Sequence, residues 1–142
     1  MQRLLLPLVF VLMALCAAQA GDGPKASTDE MKEKFKVVIG GQLEAFRKDD
    51  YESAYHFAAK AIQEQFPVAA FEKMVRDSYP IIAKNQDAVF GLSVDDGEKA
   101  IVNVRVVAQD KSSSNYQYLL QREGDEWRIT GVFLLRENEP PI

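Results

Sequence analysis

The feature that most constrains this chain is a change of hydrophobic period near Ile81. Before it, apolar residues recur every three or four positions, as on an amphipathic helix. After it they alternate, as on a strand with one buried face. Met31, Phe35, Val38, Ile39, Leu43 and Phe46 form one stripe, on a helix running to about Lys48. Ser27, Thr28, Asp29 and Glu30 read as its capping box, with the Ser27 hydroxyl on the third backbone N–H and Glu30 reaching back. Gly40 and Gly41 weaken the helix by roughly 1 kcal/mol each relative to alanine. The pair predicts a kink, or a close approach of something to the backbone.

Asp49 and Asp50 break the pattern and cap a second helix. Tyr51, Ala54, Tyr55 and Ala58 share one face of it, with Phe57 alongside, and Ile62 and Phe66 carry the apolar pattern onward. Pro67 fits the first turn of a third helix, where its missing N–H would be unpaired anyway. Val68, Phe71, Met74, Val75 and Tyr79 stripe that helix until Pro80 stops it.

Residues 88–94, 100–108, 116–122 and 127–135 read as strands rich in β-branched and aromatic side chains. The turns "DDGEK", "DKSSSN" and "EGDE" between them are short, so antiparallel hairpins follow. Helices first and strands after is the order of an α+β domain: three N-terminal helices packed on a curved four-stranded antiparallel sheet. Alternation sets Val102, Val104 and Val106 against Ile101, Asn103, Arg105 and Val107. It sets Tyr116, Tyr118 and Leu120 against Gln117, Leu119 and Gln121, and gathers Trp127, Ile129, Gly131, Phe133 and Leu135 on one face.

Residues 1–20 read as a signal peptide: a basic start at Arg3, an apolar run, then Ala18 and Ala20 at the positions a signal peptidase inspects. The run is shorter than the roughly 20 residues a membrane span needs. The expectation is therefore export, with a periplasmic or secreted domain and no stable membrane anchor after cleavage following Ala20. Cys16 follows Leu15, where lipoprotein processing wants a small residue. Residues 21–27 form a flexible leader, 28–137 the domain and 138–142 a tail. Cleavage removes Arg3 and the only cysteine, leaving 16 basic against 21 acidic side chains. The mature domain then has no disulfide and no thiol nucleophile, and relies on its core. Its bases are scattered among its acids, which argues against nucleic acid as a partner.

The stretches "QLEAFRKDDYESAYHFAA" and "EWRITGVFLL" resemble the second-helix corner and last strand of the nuclear transport factor 2-like (cystatin-like) superfamily, a cone-shaped α+β fold. Taken with "FEKMVRDSYP" and "WRITGV", they are similar to a small exported bacterial family known as domain of unknown function 4864, over about residues 33–135. One departure is clear. A small residue and a proline are expected after the "FA" of the second helix, but Ala59 and Lys60 stand there, which predicts a softer break. The resemblance implies a pocket between the concave sheet face and the helices, which several superfamily members use for acid/base catalysis on small hydrophobic substrates. It assigns no activity, because fold analogy alone supplies no chemistry.

The residues available to line such a pocket are Tyr55, Tyr79, Tyr116, Tyr118, Trp127 and Phe133, with Tyr79 placed to close its mouth. The same residue types also serve as plain core. A catalytic pocket needs a carboxylate or imidazole pointed into it, and the strands carry no aspartate or glutamate centrally. Asp95, Asp96, Asp110 and Asp125 fall in turns, whose geometry they serve. Asn103 and Arg105 read as a polar outward face, or less simply as a greeting for an anionic head group. The only histidine, His56, is rotated about 100° from the apolar stripe and reads as a surface or boundary residue. A lone imidazole without cysteines also fails as a zinc site, and no phosphate loop or nucleophile elbow is present.

The leading expectation is a non-enzymatic exported domain, without cofactor or metal, that holds a small apolar ligand or pairs through its sheet as a homodimer. One alternative is an isomerase- or hydrolase-like enzyme using His56, Tyr55 and Asp50. Another is an accessory structural subunit of an envelope complex.

Overall fold

The computed structural model describes residues 23–136, so the expected signal peptide and the tail 138–142 lie outside the described residues. The first helix, α1 (Asp29–Arg47), buries Phe35, Ile39, Leu43 and Phe46, each 2% exposed or less. Burial of such a side chain contributes about 1.5–3 kcal/mol, so this stripe anchors the helix layer. The N-cap is Thr28, whose hydroxyl accepts from the Met31 amide at 3.2 Å, and not Ser27 as the capping-box pattern predicts. The reason is the preceding strand, β1 (Lys25–Ala26), which pairs with Asp95 and Val94. That pairing draws Ser27 onto the sheet, where its hydroxyl donates to Asp95 and its amide to the Ser93 carbonyl. The segment expected as a flexible leader is thus partly a strand.

The helix runs unbroken through Gly40 and Gly41, and only Gly41 marks a close approach. A Cβ on Gly41 would lie 2.6 Å from the Phe57 ring, whereas one on Gly40 would meet nothing. Asp50 caps α2 (Tyr51–His56) by accepting from the Ser53 amide at 3.1 Å. This helix stops at Phe57, although no proline follows. The Ala59 amide donates to the Ile129 carbonyl at 2.8 Å, and the Ile129 amide donates to the Phe57 carbonyl at 2.9 Å. Ala58 therefore bridges Ile129 in parallel. Backbone groups that would have continued the helix find partners on the sheet edge, so the break is complete and not soft.

Three further segments follow: α3 (Lys60–Gln65), α4 (Val68–Ser78) and α5 (Pro80–Ala83). The expected three helices are thus five segments, because the second divides at Phe57 and Pro80 begins a short turn of its own. Asn85 ties this layer to the sheet. It is fully buried, accepts from Arg47 Nη1 at 2.7 Å, and donates to the carbonyls of Leu43 at 2.9 Å and Ile82 at 2.8 Å.

The sheet contains β1 followed by β2 (Asn85–Asp95), β3 (Lys99–Ala108), β4 (Ser113–Glu123) and β5 (Glu126–Leu135), antiparallel and in sequence order. It has five strands and not the expected four, because β1 adds an edge. The helix-facing side buries Val102, Val104, Val106, Tyr116, Tyr118 and Leu120, as alternation predicts. On β5 the prediction fails. Leu119 pairs with Gly131 but Leu120 with Ile129, so Thr130 is an extra residue in a β-bulge. Trp127 and Ile129 face the helices, whereas beyond the bulge Val132 pairs with Tyr118, and Phe133 pairs with Gln117 on the other side. The turn aspartates behave as turn residues. Asp96 accepts from the Glu98 and Lys99 amides, and Asp110 from Ser112.

Candidate functional site

A cavity of about 210 Å³ opens between the helices and the end of the sheet. Its helix-side wall comes from Gln42 and Phe46 of α1, Ile62 of α3, Phe71, Met74 and Val75 of α4 and Ile82 of α5, with Phe66 and Tyr79 from the connections that follow α3 and α4. Tyr118 and the bulged run from Ile129 to Phe133 form its sheet side. Two sequence departures make this space. The helix break at Phe57 turns α3 away from α2, and the Thr130 bulge bends the end of β5. The Thr130 hydroxyl stabilises the bulge by donating to the Leu119 carbonyl at 3.2 Å.

The lining carries no carboxylate, ammonium, guanidinium or imidazole. Its polar side chains are nearly all engaged. Gln42 donates through Nε2 to the Ala54 carbonyl at 3.2 Å, and Tyr79 donates to the Val132 carbonyl at 2.9 Å. Tyr118 is the exception: it is fully buried and its hydroxyl has no hydrogen-bond partner. Burial pushes its ionisation far above the ordinary tyrosine value of 10, and neighbouring Tyr116 and Tyr79 add to the effect. The phenol therefore stays protonated and neutral.

Of the six aromatic residues expected around a pocket, Tyr79, Tyr118 and Phe133 line this one. Phe133 reaches it from the strand edge and is 55% exposed. Tyr116 is buried beside Tyr79, with ring centroids 6.5 Å apart, and Trp127 packs edge-on against Phe35 at 4.9 Å. The Tyr55 ring meets Phe71 at 5.4 Å, and its hydroxyl lies 2.6 Å from the carbonyl oxygens of Gln63 and Phe66. Those two contacts hold α3 against α2. Ile62, Phe66, Phe71 and Met74 are the wall residues that the sequence reading treated only as helix stripes. Phe71 is buried and the other three are half-buried.

His56, Tyr55 and Asp50 do not form a relay. Asp50 accepts from the Ser53 amide and, at 2.7 Å, from its hydroxyl, which holds its carboxyl below the ordinary value. His56 is exposed, and its backbone carbonyl accepts from Arg128. Neither Asp50 nor His56 lines the cavity. Among the described residues, no three His, Cys, Asp or Glu side chains gather as metal ligands, and no helix is long and apolar enough to cross a membrane.

An α+β domain with an apolar cavity between its helices and an open antiparallel sheet is the class these observations define. A family model described as "Domain of unknown function (DUF4864)" matches residues 28–142, and the chain belongs to that family. No curated protein and no solved structure matches it.

Proposed function

We propose that this is an exported, non-enzymatic domain that holds a small apolar molecule between its helices and sheet, in a nuclear transport factor 2-like cone. The cavity carries the reading, with a wall that is apolar and offers no carboxylate or imidazole. An engineered apolar cavity of about 150 Å³ stays dry and takes up benzene, and this one measures about 210 Å³. Ligand pockets begin near 300 Å³, so the occupant is a single ring or its equivalent in aliphatic carbon. General acid–base catalysis needs a titratable group within reach of substrate. The groups that could have supplied one, Asp50 and Tyr55, are committed to Ser53 and to the α3 carbonyls. A nuclear magnetic resonance titration with cumene tests the reading. Saturable shifts are expected along α3 and α4, and their loss in Met74→Trp, which narrows the space. The absence of saturable shifts in the native protein refutes it. The export component has its own check: the mature protein begins at Gly21.

A second reading concerns the sheet face away from the helices. Val89 and Phe133 are about half exposed there, Val89 paired with the exposed Arg105 and Phe133 with Gln117, which lies opposite Asn103. The Asn103 Oδ1 is buried without a partner. Amides donate and accept alike, so the part of this face around Asn103, Gln117 and Phe133 can meet its own copy about a two-fold axis with Arg105 at the rim, and a second copy of the chain is the fitting occupant. Sedimentation equilibrium is expected to give a dimer that Phe133→Lys dissociates. A native monomer across the micromolar range contradicts it.

A further inference from the structure

A second recess, of about 190 Å³, lies between the first half of α1 and β2, and shares no lining residue with the apolar cavity. An irregularity in β2 shapes it. Phe90 pairs with Val104 and Ser93 with Val102, so Gly91 and Leu92 together oppose Asn103. Phe35 and Val102 back the recess, and the half-buried Phe90 forms its apolar wall. Lys32, Lys36 and Gly91 are exposed around it, which leaves it open to solvent.

The two lysines are placed against the interest of their own helix. They stand one turn apart, and like charges at that spacing repel. Lys32 also lies close to the helix N-terminus, where the dipole disfavours a cation. Elsewhere along this segment carboxylates relieve the lysines: Glu30 lies 3.9 Å from Lys34, and Glu44 lies 3.1 Å from Lys48. Among the described residues Lys32 and Lys36 have no such partner, and Asp29 and Glu33, three residues before them, form no ion pair with either. Asp95, two residues beyond Ser93, is held by the Ser27 hydroxyl and the Gly97 amide. The Lys36 ammonium sits 5.8 Å from the centroid of the Phe90 ring, over the apolar wall.

We propose that this recess binds an amphipathic organic anion: a ring-sized apolar body carrying one carboxylate. The carboxylate bridges the Lys32 and Lys36 ammoniums, and the body lies against Phe90. Side chains one turn apart start about 5–6 Å from each other at Cβ, so both long stems reach one head group. The anion turns their repulsion into two attractions and offsets the unfavourable dipole. The lysine stems and the Phe90 ring supply the apolar contact. A bare inorganic anion forgoes that contact, and a hydrocarbon leaves the two ammoniums unpaired. The apolar cavity has the opposite preference, because its lining offers a carboxylate no counter-charge.

Three probes separate the contributions in a nuclear magnetic resonance titration: phenylacetate, its neutral counterpart phenylacetamide, and acetate, which has the charge without the ring. Phenylacetate is expected to give saturable shifts at the amides of Lys36, Phe90 and Gly91, weakening as salt is added. Phenylacetamide is expected to bind about fivefold more weakly, the upper range of an exposed ion pair. The double variant Lys32→Gln/Lys36→Gln is expected to raise the phenylacetate Kd by about the same factor. Both side chains are exposed, so the variant keeps its fold. Its urea midpoint, no lower than that of the native protein, checks this. Acetate that reproduces the shifts with an equal Kd marks a loosely held counter-ion and overturns the proposal. So does phenylacetamide that binds as well as phenylacetate, or a variant with an unchanged Kd. Phenylacetate shifts that fall on Ile62 and Met74, or no saturable shifts at all, overturn it too and leave the apolar-cavity reading to its own titration.

Discussion

The Phe57 ring lies 2.6 Å from the position a Cβ on Gly41 would occupy, which locks the middle of α1 to the point where α2 ends. The contact fixes where the chain leaves the helix layer to meet Ile129. The adjacent glycine makes no such contact, and the pair therefore gives an internal control.

Gly40→Ala is expected to stabilise the protein by up to about 1 kcal/mol, the helix-propensity gain with nothing to clash against. Gly41→Ala gains the same propensity but forces the Phe57 ring aside, at an overpacking cost of about 1–3 kcal/mol. Its expected net effect is a loss of about 1 kcal/mol, read as a lower urea midpoint. Equal and opposite expectations for neighbouring residues make the comparison sharp.

Asn85→Ala is expected to destabilise the fold by about 3 kcal/mol. The asparagine is fully buried, and its removal strands the Leu43 and Ile82 carbonyls and Arg47 Nη1 together. Urea denaturation checks this, and a loss below about 1 kcal/mol would mean that water replaces the side chain.

How much of this was legible in the sequence depends on the range of the interactions concerned. The switch from helix to strand period near Ile81, and the burial of Val102, Val104, Val106, Tyr116, Tyr118 and Leu120, follow from local alternation and stand as read. The glycine pair left a kink and a close approach open, and only the contact of Gly41 with Phe57 separates them. The failures have one cause. The end of α2, the bulge at Thr130, the capping role of Thr28 and the structural role of Asn85 are set by partners distant in sequence: Ile129, Leu119, the β1–β2 pairing and Leu43. Half of the expected pocket aromatics line the cavity. Phe133 touches it only from the edge, because a one-residue bulge moves every later side chain to the other face.

Acid is expected to weaken the fold. The Asp50 carboxyl is held below 3.8 chiefly by the Ser53 hydroxyl, Asp96 by the Lys99 amide and Asp110 by the Ser112 hydroxyl. With folded-state values below unfolded ones, the unfolded chain binds more protons in that window. The contribution of these groups is therefore complete above about pH 4 and lost as the pH falls through the lowered values. Urea midpoints that stay level from pH 5 to pH 3, or an Asp96→Asn variant with an unchanged acid limb, contradict the assignment.

Alkali gives the mirror case. Burial raises the ionisation of Tyr118 most, and also that of Tyr116 and Tyr51, above the ordinary 10. These phenols favour the fold below about pH 10, and that contribution is lost as the pH climbs toward their raised values. Titration followed at 295 nm is expected to show Tyr118 ionising only together with unfolding. A Tyr118 that ionises in the folded protein near 10 would place its hydroxyl in water.

The central claim is a dry apolar cavity that is open to small molecules, and diffraction from crystals under xenon pressure tests it most directly. Xenon occupies apolar cavities of this kind without needing any polar contact. The expected result is one xenon peak among Phe71, Met74, Ile129 and Tyr118, with the surrounding side chains unmoved. An absence of xenon, with ordered water filling the space or the walls collapsed on one another, would contradict the account.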